Sequence, residues 1–250
     1  MRIRIMWPLL FALIGFTSEA QTVNHLLWTN LLQKHVDDRG WVDYRGFQED
    51  RNQFNEYLKE LSYQDPDKWQ GSKEQQMAFW INAYNAFTIQ LILDHYPVNS
   101  IRDIGGKIQI PRISSPWDMK FIEIGGKKYD LNNIEHGILR KEFNDPRIHF
   151  AVVCASFSCP RLRNEAYSAD NLELQLEEDA HIFINDSTRN SIQSDKLWLS
   201  KIFSWYKGDF TRGQSLISFL NQYTDIEVSG KAKIDYMPYN WRLNEGQLDQ

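Results

Sequence analysis

The sequence predicts an α+β fold in which helices pack around a small, mainly antiparallel sheet. Several segments repeat apolar residues at helical spacing, whereas the extended runs are few and short. Tight turns join these runs, a pattern typical of hairpins. No internal repeat or low-complexity linker interrupts residues 21–250, so we expect them to form a single domain.

Residues 1–20 have the pattern of a cleavable signal peptide. Two arginines precede an apolar run over residues 5–16, and Ser18 and Ala20 place small side chains at the positions that signal peptidase reads. The run is shorter than the stretch of about 20 residues that spans a bilayer, and an uncleaved anchor is the alternative interpretation. We therefore expect a periplasmic or secreted protein without stable membrane insertion after cleavage.

Composition argues against two classes of partner. The chain has 28 basic and 33 acidic residues and a net charge of −5, which gives no electrostatic basis for binding nucleic acid or an anionic membrane. Aromatic residues make up 14% of the chain, and they include nine tryptophans. Side chains of this size are sufficient to bury a substantial core.

The first half of the chain is predicted to be mainly helical. Apolar spacing predicts a helix over residues 23–36 and another that contains Phe54 and Leu58. The strongest helix signal covers residues 72–96, where Ser72 and Gln75 have the spacing of a capping box. This helix is apolar on nearly every face, so we expect it to be central and buried. Three of its polar side chains need hydrogen-bond partners, and we expect buried loop backbone to supply them, with a role in a site as the alternative: Asn82, Tyr84 and Asn85.

The second half mixes short strands with helices. We predict hairpins over residues 121–130 and 191–199, and a buried strand over residues 148–153. Asp130 is expected to cap a helix that ends near Phe143. Further elements are expected at 168–184, 200–210 and 215–223 as helices, at 41–44 and 233–236 as extended segments, and at 239–244 as an aromatic tail that packs down.

The densest concentration of reactive side chains lies between Glu135 and Arg163. The chain has only two cysteines, Cys154 and Cys159. In an oxidising compartment a disulfide between them is one interpretation. A loop this short gains the least entropic stabilisation from a disulfide, so a role in reactivity is the other. Cys154 is predicted at the end of a strand, and Cys159 precedes Pro160 at a predicted helix start, a position that favours the thiolate.

A thiolate nucleophile needs a neighbouring base, and the base needs an orienting group. His136 lies on the helix before the predicted strand, so the packing of the two elements can bring it to Cys154. His149 is separated from Cys154 by an odd number of positions, which puts the two side chains on opposite faces of a strand. Glu135 is adjacent to His136, and adjacent helical side chains point in different directions, so a different acid can be the orienting group.

Two further interpretations of the cysteines stay open. Together with His136 and His149 they have the composition of a zinc site, although their spacing matches no tight zinc motif. Cys154 can also be an ordinary small buried residue, as free cysteines often are.

Several segments of the chain resemble hallmarks of the domain of unknown function 547 family, in order and over nearly all of the chain after residue 20. They are residues 78–86 (AFWINAYNA), 134–140 (IEHGILR), 149–156 (HFAVVCAS), 158–163 (SCPRLR), 199–206 (LSKIFSWY) and 209–210 (DF). The resemblance implies a bacterial exported domain whose fold is related to papain-like cysteine hydrolases in a circularly permuted arrangement. It also implies a constellation of Cys, His and Glu, which falls on Cys154, His136 and Glu135. The family often has Asn before the first cysteine, where this chain has Val153, which puts any role of that Asn in doubt here.

We therefore expect a cysteine-dependent hydrolase or acyltransferase that acts on a peptide, amide or thiol-peptide substrate in the cell envelope. Cys154 is the expected nucleophile, His136 the general base and then acid, and Glu135 the orienting group. Asn82 and Arg163 are the candidates for contact with a small peptide or thiol-containing substrate. We expect neither a cofactor nor a metal ion. The alternative is a non-catalytic periplasmic binding or scaffold domain, which a disulfide between the two cysteines would favour.

Overall fold

The computed structural model of the protein describes residues 23–105 and 115–246, so the segment interpreted as a signal peptide lies outside the described residues. Its helices are α1 (Leu26–His35), α2 (Tyr44–Glu49), α3 (Arg51–Ser62), α4 (Lys73–Leu93), a π-helix (Asn133–Phe143), α5 (Ile148–Ala151), α6 (Leu172–Asn185), α7 (Ile202–Trp205), α8 (Lys207–Phe210) and α9 (Leu216–Leu220). Short 3-10 helices occupy Pro66–Lys68, Ile101–Asp103 and Pro116–Asp118. The strands are β1 (Ile122–Ile124), β2 (Lys127–Tyr129), β3 (Ser191–Ile192), β4 (Lys196–Leu199) and β5 (Lys233–Tyr236). Within these ranges, no helix has the length and apolar character needed to cross a membrane.

Two small sheets and the surrounding helices confirm the predicted α+β fold. β1 and β2 form an antiparallel hairpin whose turn contains Gly125 and Gly126, both at positive φ, where glycine is favoured. The second sheet has the order β3-β4-β5, with β3 antiparallel and β5 parallel to β4. Both predicted hairpins are therefore confirmed, and the pairing is mainly antiparallel.

Most of the predicted helices are confirmed with ends shifted by a few residues. The predicted helix over residues 200–210 is not continuous, because it is divided into the two short helices α7 and α8. Asp130 caps the helix that follows it, as predicted, because its Oδ1 accepts a hydrogen bond from the N–H of Asn133 at 2.6 Å. That helix, however, is wound as a π-helix from Asn133 onward rather than as an α-helix.

Helix α4 is the centre of the fold. The predicted capping box is present: the N–H of Gln75 donates to Ser72 Oγ at 3.2 Å, and the N–H of Ser72 donates to Gln75 Oε1 at 2.8 Å. From Met77 to Leu93 nearly every side chain is buried. The helix is therefore surrounded by the rest of the chain, as its apolar faces predicted.

Two asparagines of α4 bind buried loop backbone, as expected. Asn82 Nδ2 donates to the carbonyl of Tyr167 at 2.8 Å, and Asn82 Oδ1 accepts from the N–H of the same residue at 2.9 Å. Asn85 forms the same two kinds of bond, to the carbonyl of Ala151 and the N–H of Val153, both at 2.9 Å. These amides hold loop segments against the helix, which satisfies polar groups that would otherwise be buried without partners.

The strand predicted over residues 148–153 is wrong. Ile148–Ala151 forms the single turn of helix α5, and only the residues after it are extended. Asn85 takes up the backbone groups that a neighbouring strand would have used. The alternation that placed His149 and Cys154 on opposite faces of a strand therefore does not apply.

The core consists of two clusters of buried apolar side chains. The first surrounds α4 and includes side chains of α1, α3, the β1–β2 hairpin and the π-helix. The second is rich in phenylalanine, with Phe150 in contact with Phe183, Phe203 and Phe210. Ring pairs of this kind contribute beyond the area that they bury.

The aromatic tail packs down, as predicted, and it joins distant parts of the chain. The N–H of Phe157 donates to the carbonyl of Arg242 at 2.7 Å, and the hydroxyl of Tyr44 donates to Asn244 Oδ1 at 2.7 Å. Leu243 is buried in the first cluster. The tail thus connects the N-terminal helices to the loop that contains the two cysteines.

Candidate functional site

A cavity of about 230 Å³ lies where the two core clusters meet, and five side chains with reactive groups line it: Cys154, Cys159, Glu135, His136 and His149. Most of the remaining wall is aromatic and consists of Tyr84, Trp117, Trp205, Tyr206, Tyr239 and Trp241. The structure therefore brings the three predicted catalytic residues to one cavity.

Cys154 and Cys159 form a disulfide across the short loop between them, with Cα atoms 6.3 Å apart. Cys159 is buried and Cys154 is half-buried. The hydroxyl of Tyr239 donates to Cys159 Sγ at 3.2 Å and lies 3.4 Å from Cys154 Sγ, and Ser156 Oγ lies 3.2 Å from Cys154 Sγ. Burial raises the pKa of Tyr239, so its hydroxyl keeps its proton. In this state the cavity presents a disulfide flanked by two hydroxyl groups.

The loop between the cysteines is irregular and is held from outside. Ala155 has a φ of 57°, in the left-handed region that side chains disfavour at a cost of order 1–3 kcal/mol. The N–H of Asn244 donates to the carbonyl of Ala155 at 3.2 Å and helps to hold this conformation. The residues after Cys159 form no helix, so the predicted helix start at Pro160 is wrong.

Glu135 is a buried carboxylate on the first turn of the π-helix. The hydroxyl of Tyr84 donates to its Oε2 at 3.2 Å, and its Oε1 lies 3.7 Å from His136 Nδ1. The two groups are thus within ion-pair range but form no hydrogen bond, and which acid orients His136 stays a prediction. Burial, followed by the negative charge of Glu135, raises the pKa of Tyr84 and of Tyr206.

His136 is partly exposed at the cavity and has two competing neighbours at Nδ1. Arg140 Nη1 lies 3.2 Å from that atom, and Glu135 Oε1 lies 3.7 Å from it. A hydrogen bond from Arg140 requires an unprotonated Nδ1, whereas a bond to Glu135 requires a protonated one and leaves Nε2 free to accept a proton. Within residues 23–105 and 115–246, no hydrogen bond joins His136 to Cys154.

Asp209 supports the wall behind Tyr206. His149 Nε2 donates to Asp209 Oδ2 at 2.8 Å and Arg140 Nε donates to it at 2.7 Å, and these bonds hold the pKa of Asp209 well below its usual range. The His149 ring stacks on Tyr206 with centroids 3.9 Å apart, and the Arg140 guanidinium lies 5.0 Å from the centroid of the same ring. Burial lowers the pKa of His149, and its Nδ1 has no hydrogen-bond partner in the described part of the chain. One carboxylate therefore fixes both groups that flank Tyr206.

Residues 66–184 match the family model described as Protein of unknown function, DUF547. The match supports the DUF547 family. It agrees with the resemblance of the sequence motifs, and it includes Glu135, His136 and both cysteines of the cavity. No curated protein and no solved structure matches the chain.

The two predicted substrate contacts, Asn82 and Arg163, lie within the DUF547 match but do not line the cavity. Both polar atoms of Asn82 bind the backbone of Tyr167. Arg163 is buried and pairs with Asp179 at 3.1 Å and with Glu178. The structure therefore places neither Asn82 nor Arg163 at the cavity that contains the disulfide and His136.

Sequence reasoning missed the side chains that complete the cavity beyond the DUF547 match. Trp205 and Tyr206 come from α7 and the residue after it, and Tyr239 and Trp241 come from the C-terminal tail. The signal that could have found them is aromatic density, since both segments contain large rings next to polar residues in otherwise short elements.

Within residues 23–105 and 115–246, no group of three or more His, Cys, Asp and Glu side chains is placed to hold a metal ion. The zinc interpretation needed Cys154 and Cys159 as thiolate ligands. The disulfide engages both sulfur atoms instead.

Proposed function

We propose that this protein is a cysteine-dependent hydrolase or acyltransferase that acts on a peptide, amide or thiol-peptide substrate in the cell envelope. The observation that supports it is the presence of Cys154, His136 and Glu135 in the wall of one cavity. The circularly permuted papain-like relation that the family resemblance implies is part of the same proposal. So is a periplasmic or secreted location, which follows from the signal-peptide pattern of residues 1–20.

In the reduced protein, the thiolate of Cys154 attacks the carbonyl carbon of the substrate. A carbon–sulfur bond forms, the bond to the leaving amine or thiol breaks, and His136 carries the thiol proton to the leaving group. Water, or an acceptor amine or thiol, then attacks the thioester and releases Cys154. Hydrolysis and acyl transfer differ only in which acceptor enters the cavity.

The balance between Glu135 and Arg140 at His136 decides whether the imidazole is a base. When Nδ1 carries a proton and faces the carboxylate of Glu135, Nε2 is free to accept the thiol proton. When Nδ1 accepts from Arg140 Nη1, Nε2 carries the proton and cannot do so. We propose that Asp209, which binds Arg140 Nε at 2.7 Å, reduces the competition by neutralising the guanidinium.

The disulfide makes the described state an oxidised resting form in this proposal. A dithiol reductant is required: one of its thiolates attacks a cysteine sulfur, the Cys154–Cys159 bond breaks, and its second thiol resolves the mixed disulfide. The two electrons come from the reductant, which leaves as a disulfide. Cys154 is the more exposed residue of the pair and the one whose sulfur can then meet a substrate.

The same disulfide favours a second candidate function, a non-catalytic binding or scaffold domain of the cell envelope. A permanent bond between Cys154 and Cys159 leaves no free thiol as a nucleophile, and the disulfide then only stabilises the loop between the two residues. The cavity would then bind a ligand without turnover.

Thiol reactivity separates the two candidates. Cys159→Ser leaves Cys154 as a free thiol, and its rate of alkylation is measured across pH, alone and combined with His136→Ala. We expect a reactivity midpoint below the ordinary cysteine pKa of about 8.5. We also expect the rate near neutral pH to fall roughly tenfold without the imidazole.

His181→Ala is the matched control, because His181 is exposed and does not line the cavity. It should leave the alkylation rate of Cys154 unchanged. A midpoint near that of a free thiol, equal in the His136→Ala protein, would contradict the enzyme proposal. Mass spectrometry of the wild-type protein after treatment with a mild dithiol supplies the second measurement, since a disulfide that resists reduction favours the scaffold.

A further inference from the structure

The wall of the cavity is unusually rich in aromatic rings for its size. Six rings line it: Tyr84, Trp117, Trp205, Tyr206, Tyr239 and Trp241. Several of them also contact one another, for example Tyr239 and Trp241 with centroids 4.6 Å apart. A volume of about 230 Å³ is below the roughly 300–1,000 Å³ of pockets for drug-sized ligands. The cavity therefore suits one chemical group of a larger substrate rather than a whole large molecule.

The charge of this wall is negative. Glu135 contributes a buried carboxylate, and no lysine or arginine is among the side chains that line the cavity within the described ranges. Arg140, the nearest guanidinium to His136, is paired with Asp209 at 2.7 Å. The pKa of Tyr206 is raised by burial and then by Glu135, which is the effect expected of a negative charge in surroundings of low polarity.

We propose that the cavity binds a cationic amine group of the substrate, an inference that rests on the proposed function only in taking this cavity as the substrate site. The negative faces of aromatic rings attract ammonium groups, most strongly where water is excluded. The carboxylate of Glu135 in the same wall adds an opposite charge for the cation. A neutral apolar group would find the rings but would gain nothing from Glu135.

Two rings of this wall already lie next to arginine side chains. The guanidinium of Arg140 lies 5.0 Å from the centroid of Tyr206, and that of Arg102 lies 5.3 Å from the centroid of Trp241. Both distances are within the range of about 6 Å for a cation over a ring. Rings of this wall therefore attract positive charge. Because His149 and Arg140 already flank Tyr206, the amine group of a substrate would use the same attraction at the other rings of the wall.

The test compares two probes of the same shape, choline and its neutral isostere 3,3-dimethylbutan-1-ol. Binding to the oxidised full chain is measured by calorimetry and by tryptophan fluorescence. We expect choline to bind at least roughly tenfold more tightly, because only the charged probe gains cation–π attraction. Trp205 is half-exposed, so we expect Trp205→Leu to fold; it should remove most of this preference, and Glu135→Gln should reduce it as well.

Trp198→Leu is the matched control, since Trp198 lies on β4 and does not line the cavity. It should leave the preference for choline intact. Equal affinities for the two probes, no binding of choline, or a preference that survives Trp205→Leu in a folded protein would each overturn the proposal. Because the oxidised protein is used, the outcome is independent of Cys154 reactivity. A preference for choline combined with an unreactive thiol would contradict the enzyme proposal and still support the cation site.

Discussion

Two buried aspartates have surroundings that shift the pKa of the carboxyl group in opposite directions. Asp209, beside the cavity, and Asp179, on α6, each bind two arginines. The hydrogen bond from His149, and then that from Arg140, lowers the pKa of Asp209, whereas burial raises the pKa of Asp179. The side chain of Asp209 is 10% exposed and that of Asp179 is 1% exposed.

The difference teaches that arginine neighbours do not identify a functional carboxylate. Around Asp179, nearly complete burial outweighs two guanidinium groups, and the cluster mainly fixes α6 to the loop that contains Arg163. Around Asp209, an imidazole donor and slight exposure keep the charge favourable. The stable negative charge therefore lies at the wall of the cavity, behind Tyr206.

The largest expected effect is that of Asp209→Asn. The neutral amide leaves the guanidinium groups of Arg140 and Arg212 without their ion pair and turns one of the two accepting oxygens into a donor, so the free energy of unfolding should fall by about 3–5 kcal/mol. Urea denaturation near neutral pH measures this loss. Asp225→Asn is the control: Asp225 pairs with His181 at an exposed site, and the change should stay within about 0.5 kcal/mol.

A smaller effect is expected of Asp179→Asn. The side-chain oxygen of Asn still accepts the hydrogen bond that the Tyr167 hydroxyl donates at 2.6 Å, and a neutral amide is less costly to bury than a carboxylate. Arg163 also keeps its ion pairs with Glu165 and Glu178. The same urea experiment should show a loss of about 1–2 kcal/mol. A loss as large as that of Asp209→Asn would show that the two clusters do not differ in the way that their pKa values indicate.

The smallest effect is also the sharpest, because the two sites should respond to pH with opposite sign. The pKa of Asp209 is lowered, so its charge stabilises the fold above the ordinary value of 3.8, and this advantage over Asp209→Asn disappears as pH falls through the folded pKa. The pKa of Asp179 is raised, so wild type gains on Asp179→Asn as pH falls from about 7 towards about 4. Urea denaturation of the three proteins from about pH 7 down to about pH 2 measures both differences, because the loss at Asp209 occurs only below 3.8. Parallel pH dependences would contradict the comparison.

Local signals in the sequence predicted the elements that local physics controls. The Ser72–Gln75 capping box and the two-glycine turn at Gly125 are both present, because each depends only on neighbours in the chain. The apolar spacing of α4 likewise identified the central helix. These features needed no knowledge of the rest of the fold.

The segment 148–153 was mispredicted because long-range contacts decide it. Its β-branched and apolar residues favour a strand, but Asp145 Oδ1 accepts from the N–H of Arg147 at 2.9 Å and the chain enters a helical turn. Asn85 then binds the extended residues that follow. The β-propensity of this segment is therefore outweighed by its contacts, among them those of Asn85 on the distant helix α4.

Only part of the candidate site could be predicted from the sequence, for a similar reason. Cys154, His136 and Glu135 are close in sequence, and a helix followed by a packed segment was enough to bring them to one place. Tyr206 and Trp241 reach the cavity from segments much later in the chain, and spacing rules carry no information about that distance. Glu135 and His136 also lie on a π-helix, which apolar periodicity does not distinguish from an α-helix.

The C-terminal tail has a consequence for the order in which the protein assembles. Its contact between Tyr44 and Asn244 joins positions 200 residues apart, and Tyr239 meets a sulfur atom 85 residues before it. Contacts between such remote positions form slowly, because a long chain loop must close first. Cys154 and Cys159 therefore stay uncovered on one side until the tail docks. An oxidant can join them while one side of the pocket is still missing.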